Sequence, residues 1–561
     1  MVKQMKKLPV GISDFKELRD ENKYFVDKSI FIKEIIEDEA KVILLPRPRR
    51  FGKTLNLTML RCFFEIAENK EKIKKLFSGL DIEKECVFDE HFAKYPVIYL
   101  TFKDINETSF KEAFLSVKDL ISEEFERHAY LLDSDALTDI KKREFESVIK
   151  REAADFVYRK SLKSLSGYLH THHRKKPVIL IDEYDTPIHS AFFHGYYDEC
   201  ISFFKGFLGG GLKDNPDMFK GIITGILRIA KESIFSGLNN LGVYNLLKSE
   251  YSRSFGFTED EVCNLLKYYN IEDMMEDVKQ WYDGYKFGRN TIYNPWSILN
   301  FISSIDKMFL PYWANTSSNE ILRDLIKQSP SAVKQEFADL LNDVPVTKRI
   351  DDNIVLRDLQ KDDIAVYSFL LFSGYLRVSD KVSKGRKTYY KLLFPNFEVK
   401  EIIENSILHW INDSYESSKL RQMLNALMRC DIETFEEFLN DFIISTLSYF
   451  DTEKRNPEKV YQAFMLGMLV NLEGTYEVYS NKESGLGRFD ISVVPIDKSK
   501  TAFIMELKTI KKRETKEESL EEAIKQINER KYETEILKRG IRNIMKLAIV
   551  FDGKEVWVKK G

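Results

Sequence analysis

The chain has 561 residues, 43% hydrophobic and 31% charged, with a formal net charge of −3. That length predicts several domains, and the balanced charge excludes a protein that coats nucleic acid through bulk charge, leaving only local basic patches for such contacts. No apolar run reaches the length of a membrane span, and five scattered cysteines argue for a reducing compartment and against a disulfide frame or a zinc ribbon.

The N-terminal stretch Met1–Gly11 carries Lys3, Lys6 and Lys7 with no apolar core behind them. It does not read as a secretory signal, and the expected location is cytoplasmic, with no membrane partner. Asp14 is placed to cap a short helix. Asp27-Lys28-Ser29 then precedes Ile30, Ile32, Ile35 and Ile36, the stripe of an amphipathic helix packed on a core.

Val42-Ile43-Leu44-Leu45 is a run of strand length. A loop from Pro46 to Phe51 follows, then Gly52-Lys53-Thr54 and a helical stripe of Leu57, Leu60 and Phe64. Strand, loop, Gly-Lys-Thr and helix are the context of a phosphate-binding loop. N–H groups at a helix start face an anion, the helix end carries about half a positive charge, and Lys53 adds a full one. Thr54 offers a hydroxyl to Mg²⁺. Arg47 stands where the usual pattern begins with glycine, and Pro48 lacks an N–H donor. Arg49 and Arg50 add charge that replaces part of the lost backbone contact.

Pro96 to Phe102 reads as a strand. A long charged helical region runs from about Ser109 to His170, and His172-His173, beside Arg174, reads as a solvated loop. Val178 to Ile181 followed by Asp182 and Glu183 describes a buried parallel strand ending at a ligand-facing edge. There Asp182 would hold Mg²⁺ through water, and Glu183 would orient and polarise the attacking water. Gly209-Gly210-Gly211 reads as a hinge or turn before a third strand, Gly221 to Ile226. At its end, Thr224 and Arg228 either read the γ-phosphate or, for Arg228, pair with a surface acid.

From about Thr258 the pattern turns to helices and aromatic loops. Trp281-Tyr282-Asp283-Gly284-Tyr285 reads as a packed turn, and Asn294-Pro295 as a capped helix start before Trp296, Ile298, Leu299 and Ile302. A helix from Ile364 to Phe372 leads into Ser373 to Val378, a charged turn from Lys381 to Lys387, and Thr388 to Leu393, a winged-helix-like shape. Its turn either touches phosphates or is a solvated tip.

The last hundred residues read as a separate unit, opening with a helix around Val460 to Leu472 that includes Phe464, Met468 and Leu469. Gly487-Arg488-Phe489-Asp490 leads a strand to Val494, and Ala502 to Lys508 forms another. Alternation puts Ile504, Glu506 and Lys508 on one face and Phe503, Met505 and Leu507 on the other. A hairpin centred near Lys498 sets Asp490 opposite Glu506, about 4.5–5.5 Å apart at Cβ, a separation at which two carboxylates share a divalent ion. Lys508 is placed to position a water or to stabilise a phosphorane-like transition state. A helix from about Glu517 to Arg530 carries Gln526 beside its apolar stripe, within reach of that face.

In order along nearly the whole chain, Asp27-Lys28-Ser29, Arg47 to Thr54, Asp182 to Asp185, Thr224-Gly225, Trp281 to Tyr285, Tyr293 to Trp296, Gly487 to Asp490, Glu506 to Lys508 and Gln526 resemble a bacterial family. Its members join an AAA-ATPase-like N-terminal domain to a C-terminal domain of the PD-(D/E)XK nuclease superfamily. The resemblance implies that the arginine-rich phosphate loop is a family trait. It implies Asp490 and Glu506 as metal ligands and Lys508 as the catalytic lysine. The superfamily often adds an acid from the preceding helix, where Glu458 is a candidate and Gln462 stands where an acid is wanted.

The expected architecture is α/β throughout. A P-loop NTPase domain with a parallel sheet and flanking helices covers 1–250, a helical and winged-helix-like region 251–450, and a restriction-endonuclease-like α/β domain 451–561. ATP is expected at Arg49, Arg50, Phe51, Gly52, Lys53, Thr54, Asp182 and Arg228, with Glu183 catalytic and Mg²⁺ at Thr54 and Asp182. A second Mg²⁺ is expected at Asp490 and Glu506, with Lys508 and Gln526 completing a site that hydrolyses nucleic acid, DNA before RNA. The alternative is a nucleotide-switched interaction protein whose nuclease-like domain binds without cleaving. Assembly into a homo-oligomer stays open.

Overall fold

The computed structural model describes residues 5–228, 240–315, 322, 325, 331–341, 343–353, 356–360, 362–414, 417–447, 461–462, 465, 468–469, 472, 474–480, 483–484, 487–488, 490–510, 514–529, 532–553 and 555–561. Contacts divide the chain into two units, Met1–Ala314 with Thr347–Val399, and Asn315–Val346 with Lys400–Gly561. The region expected at 251–450 is therefore shared between them.

In the first unit five strands form one sheet: β1 (Val42–Pro46), β2 (Val97–Thr101), β3 (Val178–Asp182), β4 (Lys220–Gly225) and β5 (Leu241–Val243), in the order β2-β3-β4-β1-β5. Every pairing is parallel. Parallel sheets need cover on both faces, which explains why β1, β3 and β4 are buried at every position and contain unbroken apolar runs. β4 lies between β1 and β3, so the ends of the phosphate-loop strand and the Asp182 strand flank Thr224.

The Asp14 side chain caps the Phe15–Asp20 helix by accepting from Glu17 N at 2.8 Å. Asn294 does the same for the Pro295–Ser303 helix, accepting from Trp296 N at 2.9 Å. The long charged region is three α-helices, Phe110–Arg127, Asp139–Ile149 and Asp155–His173, with a short 3-10 helix, Ala129–Asp133, between the first two. His172-His173 closes the last of these rather than forming a loop.

The Gly209-Gly210-Gly211 run is not a hinge. It lies inside the Tyr197–Leu212 helix. A Cβ on Gly211 would stand 2.4 Å from Leu162 Cδ2 and 2.9 Å from Leu162 Cβ, so glycine is required there by the close approach of the Asp155–His173 helix. Sequence punctuation by glycine cannot distinguish a turn from such a crossing.

The Asp363–Phe372 helix leads into an antiparallel hairpin of Arg377–Lys384 and Lys387–Leu393. The stretch expected as a charged turn is mostly strand, and the turn itself is Gly385-Arg386.

The second unit holds a five-stranded mixed sheet in the order Tyr476–Ser480, Ile491–Pro495, Ala502–Thr509, Ile544–Asp552, Glu555–Lys560. Phe503, Met505 and Leu507 enter one apolar cluster with Leu439, Phe442, Met465 and Met468. Ile504 packs on the other side with Ile527 and Tyr532, next to a patch of Leu520, Ala523, Ala548 and Val550. The expected face assignment of this strand is thus observed. The helix expected at 460–472 falls largely outside the described residues, as do Glu458 and Phe464.

Two candidate active sites

The first site gathers at the C-terminal ends of β1, β3 and β4. Gly52 takes a left-handed backbone, φ 83°, immediately before the Lys53–Phe64 helix, a conformation that glycine adopts without a Cβ penalty. Lys53 is buried; its Nζ donates to the carbonyls of Arg47 and Pro48, each at 3.2 Å, and lies 3.5 Å from Glu183 Oε1. The Thr54 hydroxyl donates to Asp182 Oδ2 at 2.6 Å, and the Thr224 hydroxyl to Asp182 Oδ1 at 2.5 Å. Burial, followed by the neighbouring Glu183 charge, raises the Asp182 pKa despite both hydroxyl bonds. Burial also acts to raise Glu183, but Lys53 and Arg49 outweigh it and leave its pKa lowered. Two adjacent acids are thereby set to opposite tendencies, a pattern found where carboxylates take different roles.

Glu183 and Arg50 both hold positive φ, 51° and 68°. Left-handed backbone at non-glycine residues is sparse and clusters at functional sites. The structure also assigns a role to Tyr184 and Asp185, which the resemblance named without one. Tyr184 N donates to the Thr224 carbonyl at 3.1 Å, Tyr184 OH donates to the Leu227 carbonyl at 2.8 Å, and Asp185 Oδ2 accepts from Ile226 N at 2.8 Å and Leu227 N at 2.9 Å. These bonds fasten the β3 exit to the β4 exit. A Cβ on Gly225 would stand 2.5 Å from Asp185 Oδ1, which explains the glycine after Thr224.

The arginines of the loop separate by direction. Arg47 is fully buried and donates to the carbonyls of Pro46 at 2.9 Å, Tyr244 at 2.5 Å and Tyr251 at 3.2 Å. Its guanidinium lies 5.1 Å from the Phe255 ring centroid and 5.3 Å from that of Phe287, and burial lowers its pKa to about 9. The position of the missing glycine is therefore an internal strut rather than a phosphate contact. Arg50 lies 4.1 Å over the Trp296 ring, and Arg228 is 3.9 Å from Asp352. Arg228 thus lies within ion-pair distance of a surface acid, one of its two expected partners. Phe51 is fully buried against Tyr285 and Phe287, so its ring is core and only its backbone borders the loop.

The second site lies on the Ala502–Thr509 strand. The ladder pairs Ile491 with Met505, Ser492 with Ile504 and Val493 with Phe503. Continued one step past its last pair, this register would set Asp490 opposite Glu506, the arrangement expected from the sequence. Asp490 Oδ2 accepts from Leu507 N at 2.8 Å, and the Asp490 carbonyl accepts from Gln462 Nε2 at 3.0 Å. Gln462 thus orients the acid opposite Glu506 instead of supplying a further carboxylate.

Glu506 is 2% exposed. The Gln526 amide donates to Glu506 Oε1, and Gln526 Oε1 accepts from Lys508 Nζ at 3.0 Å. Gln526 reaches both from the Lys516–Glu529 helix, whose Leu520, Ala523 and Ile527 are buried. Carboxylate, amide and ammonium form one chain on one face of the strand. Among the described residues no cluster of three or more Asp, Glu, His or Cys side chains is placed to hold a metal. Two carboxylates alone still fit Mg²⁺, which keeps waters and takes one or two protein carboxylates plus substrate oxygens.

The first unit therefore has the strand order, loop and acid placement of a P-loop nucleotide-binding fold, and the second carries paired acids and a lysine on a mixed sheet. Residues 9–235 match the family model described as a predicted AAA-ATPase, and residues 456–561 match the PD-(D/E)XK nuclease superfamily. The chain joins an AAA-ATPase-like domain to a PD-(D/E)XK nuclease-superfamily domain. Over 410 residues it is 27% identical to an uncharacterized protein in the vnfD 5′ region of Azotobacter chroococcum mcd 1, a match covering 72% of this chain and 70% of that protein. Among the described residues no helix is long and apolar enough to cross a membrane.

Proposed function

We propose that the protein binds and hydrolyses ATP in its first unit and cleaves nucleic-acid phosphodiesters, DNA before RNA, with Mg²⁺ in its second. The observation that carries the nuclease reading is the Glu506–Gln526–Lys508 chain facing Asp490. Gln526 holds the carboxylate and the ammonium at a fixed separation, so neither must reorganise when charge develops on the scissile phosphate. Lys508 orients a water or neutralises the developing negative charge. A divalent ion bound by Asp490 and Glu506 would supply charge stabilisation and lower the pKa of a bound water.

In the first unit, Lys53 and the N–H groups of residues 50–54 receive the phosphates. Lys53 leaves Glu183 when it does so, releasing that carboxylate to orient water. Thr54 and Asp182 provide the oxygens for the cation that accompanies the nucleotide. Arg50 and Arg228 are the further nucleotide-contacting cations of this reading. The test is twofold: cleavage of labelled DNA by the purified chain with Mg²⁺ or Mn²⁺, compared with Glu506→Ala and Lys508→Ala, and ATP affinity compared with Lys53→Ala. Cleavage by neither the wild type nor the variants under any metal sinks the nuclease reading in favour of a protein that only binds. Equal ATP binding by wild type and Lys53→Ala sinks the nucleotide reading.

A further inference from the structure

The hairpin Arg377–Lys384/Lys387–Leu393 carries a charge pattern that neither site uses. Its register sets Lys381 opposite Tyr390, Val382 opposite Tyr389, Ser383 opposite Thr388 and Lys384 opposite Lys387. Residues 381–388 hold Lys381, Lys384, Arg386 and Lys387 and no acid, and all four cations are exposed. The neighbouring acid, Asp380, is engaged by Lys391 at 3.0 Å. Among the described residues these four cations make no ion pair with a carboxylate. Like charges directly across a ladder are unfavourable, so the Lys384–Lys387 pair is not explained by hairpin stability.

The rings add a second feature. Lys384 lies 5.5 Å from the Tyr389 centroid, and Lys381 lies 5.7 Å from that of Tyr390. Alternation puts the first pair, with Lys387, on one face and the second on the other. Both faces of a narrow ribbon thus present cations seated on aromatic rings, with Arg386 at the tip. From Lys381 to Lys384 the strand advances about 10 Å, given a rise of about 3.3 Å per residue.

We propose that this hairpin is a docking element for duplex DNA, gripping the phosphate backbone without reading sequence. Charge complementarity selects a polyanion, and a two-stranded ribbon is the size of element that the major groove of B-form DNA admits, whereas the deep, narrow groove of duplex RNA does not. The proposal rests on the nucleic-acid reading above only for its choice of polymer, and it concerns binding alone.

The experiment is fluorescence anisotropy of a mixed-sequence DNA duplex with the full chain in EDTA, so that no metal-dependent cleavage enters, between about 50 and 200 mM salt. The probe is compared across wild type, the triple variant Lys384→Ala/Arg386→Ala/Lys387→Ala, and a charge-preserving triple variant Lys384→Arg/Arg386→Lys/Lys387→Arg. Each phosphate contact contributes about 0.9 to the slope of log affinity against log salt. The alanine variant is expected to lose about 2–3 from that slope and at least about tenfold in affinity at low salt, while the charge-preserving variant keeps the wild-type slope. An alanine variant with unchanged slope and affinity overturns the proposal, as does wild type that binds anionic phospholipid vesicles or duplex RNA but not duplex DNA. A chain that never cleaves DNA with metal yet shows the slope change leaves the docking element standing and removes only the nuclease reading.

Discussion

The side-chain amide of Gln526 donates to the buried carboxylate of Glu506, and this bond joins a helix to the central strand of the second unit. Because Gln526 also accepts from Lys508, its removal frees both groups at once. Gln526→Ala is expected to lower the rate of Mg²⁺-dependent cleavage by about 10–100-fold, the usual effect of losing a side chain that orients metal-site groups. Single-turnover cleavage measures it. DNA affinity in EDTA should stay within about twofold, and a variant cleaving at the wild-type rate contradicts the positioning role.

The Arg47 strut predicts a stability effect. Arg47→Met removes the donor to three backbone carbonyls and both ring contacts. Hydrogen bonds from a charged group contribute about 1.5–3 kcal/mol, and part of the loss is offset by the apolar replacement, so about 2–4 kcal/mol of destabilisation is expected. Arg47→Lys should not restore stability, since an ammonium cannot reproduce the planar fork. Thermal unfolding of the full chain reads this as a lowered first transition.

Asp182 predicts a pH dependence with a definite sign. Burial and Glu183 raise its folded pKa above the unfolded value. The folded state therefore binds the proton more tightly, and wild type gains stability relative to Asp182→Asn as pH falls through the folded pKa towards the unfolded one. At neutral pH the Asn variant is expected to be at least as stable as wild type while losing Mg²⁺-dependent ATP binding. Chemical denaturation of both proteins across pH 4–8 checks this, and a stability difference independent of pH contradicts it.

Gly211 sets two effects against each other. Glycine to alanine inside a helix ordinarily stabilises by about 0.5–1 kcal/mol. Here the new Cβ meets Leu162 at 2.4–2.9 Å, and overpacking costs about 1–3 kcal/mol. The clash should win, so Gly211→Ala is expected to lower the unfolding temperature, whereas Gly210→Ala, with nothing within 4 Å of its Cβ, should raise or preserve it.

The parts of the fold that rest on local chemistry were legible in the sequence. β1 and β3 are built on unbroken apolar runs, the Ala502–Thr509 strand opens with one, and the register that sets Ile491 against Met505 followed from strand periodicity and the turn near Lys498 alone. Features set by tertiary approach were not. β5, three residues long, carried no signal that singled it out, whereas Ile544–Asp552 and Glu555–Lys560 are joined at Asp552-Gly553, a hairpin signal that sequence reasoning missed. The glycine run fitted a hinge because only Leu162, far away in sequence, makes it a crossing point. Arg47 read only as a departure from the glycine of the usual pattern because its acceptors lie about two hundred residues on, at Tyr244 and Tyr251. The roles of Tyr184 and Asp185 were hidden in the same way: the motif was visible, but the backbone groups it fastens belong to another strand.

Mn²⁺ titration by electron paramagnetic resonance, in a Lys53→Ala/Thr54→Ala background that removes the nucleotide-linked ion, tests most directly whether the acids of the second unit hold a cation. One Mg²⁺-competable ion per chain is expected, lost in Asp490→Asn and in Glu506→Gln and kept in Lys508→Ala. Binding of the same stoichiometry and affinity in all of these variants would contradict the account.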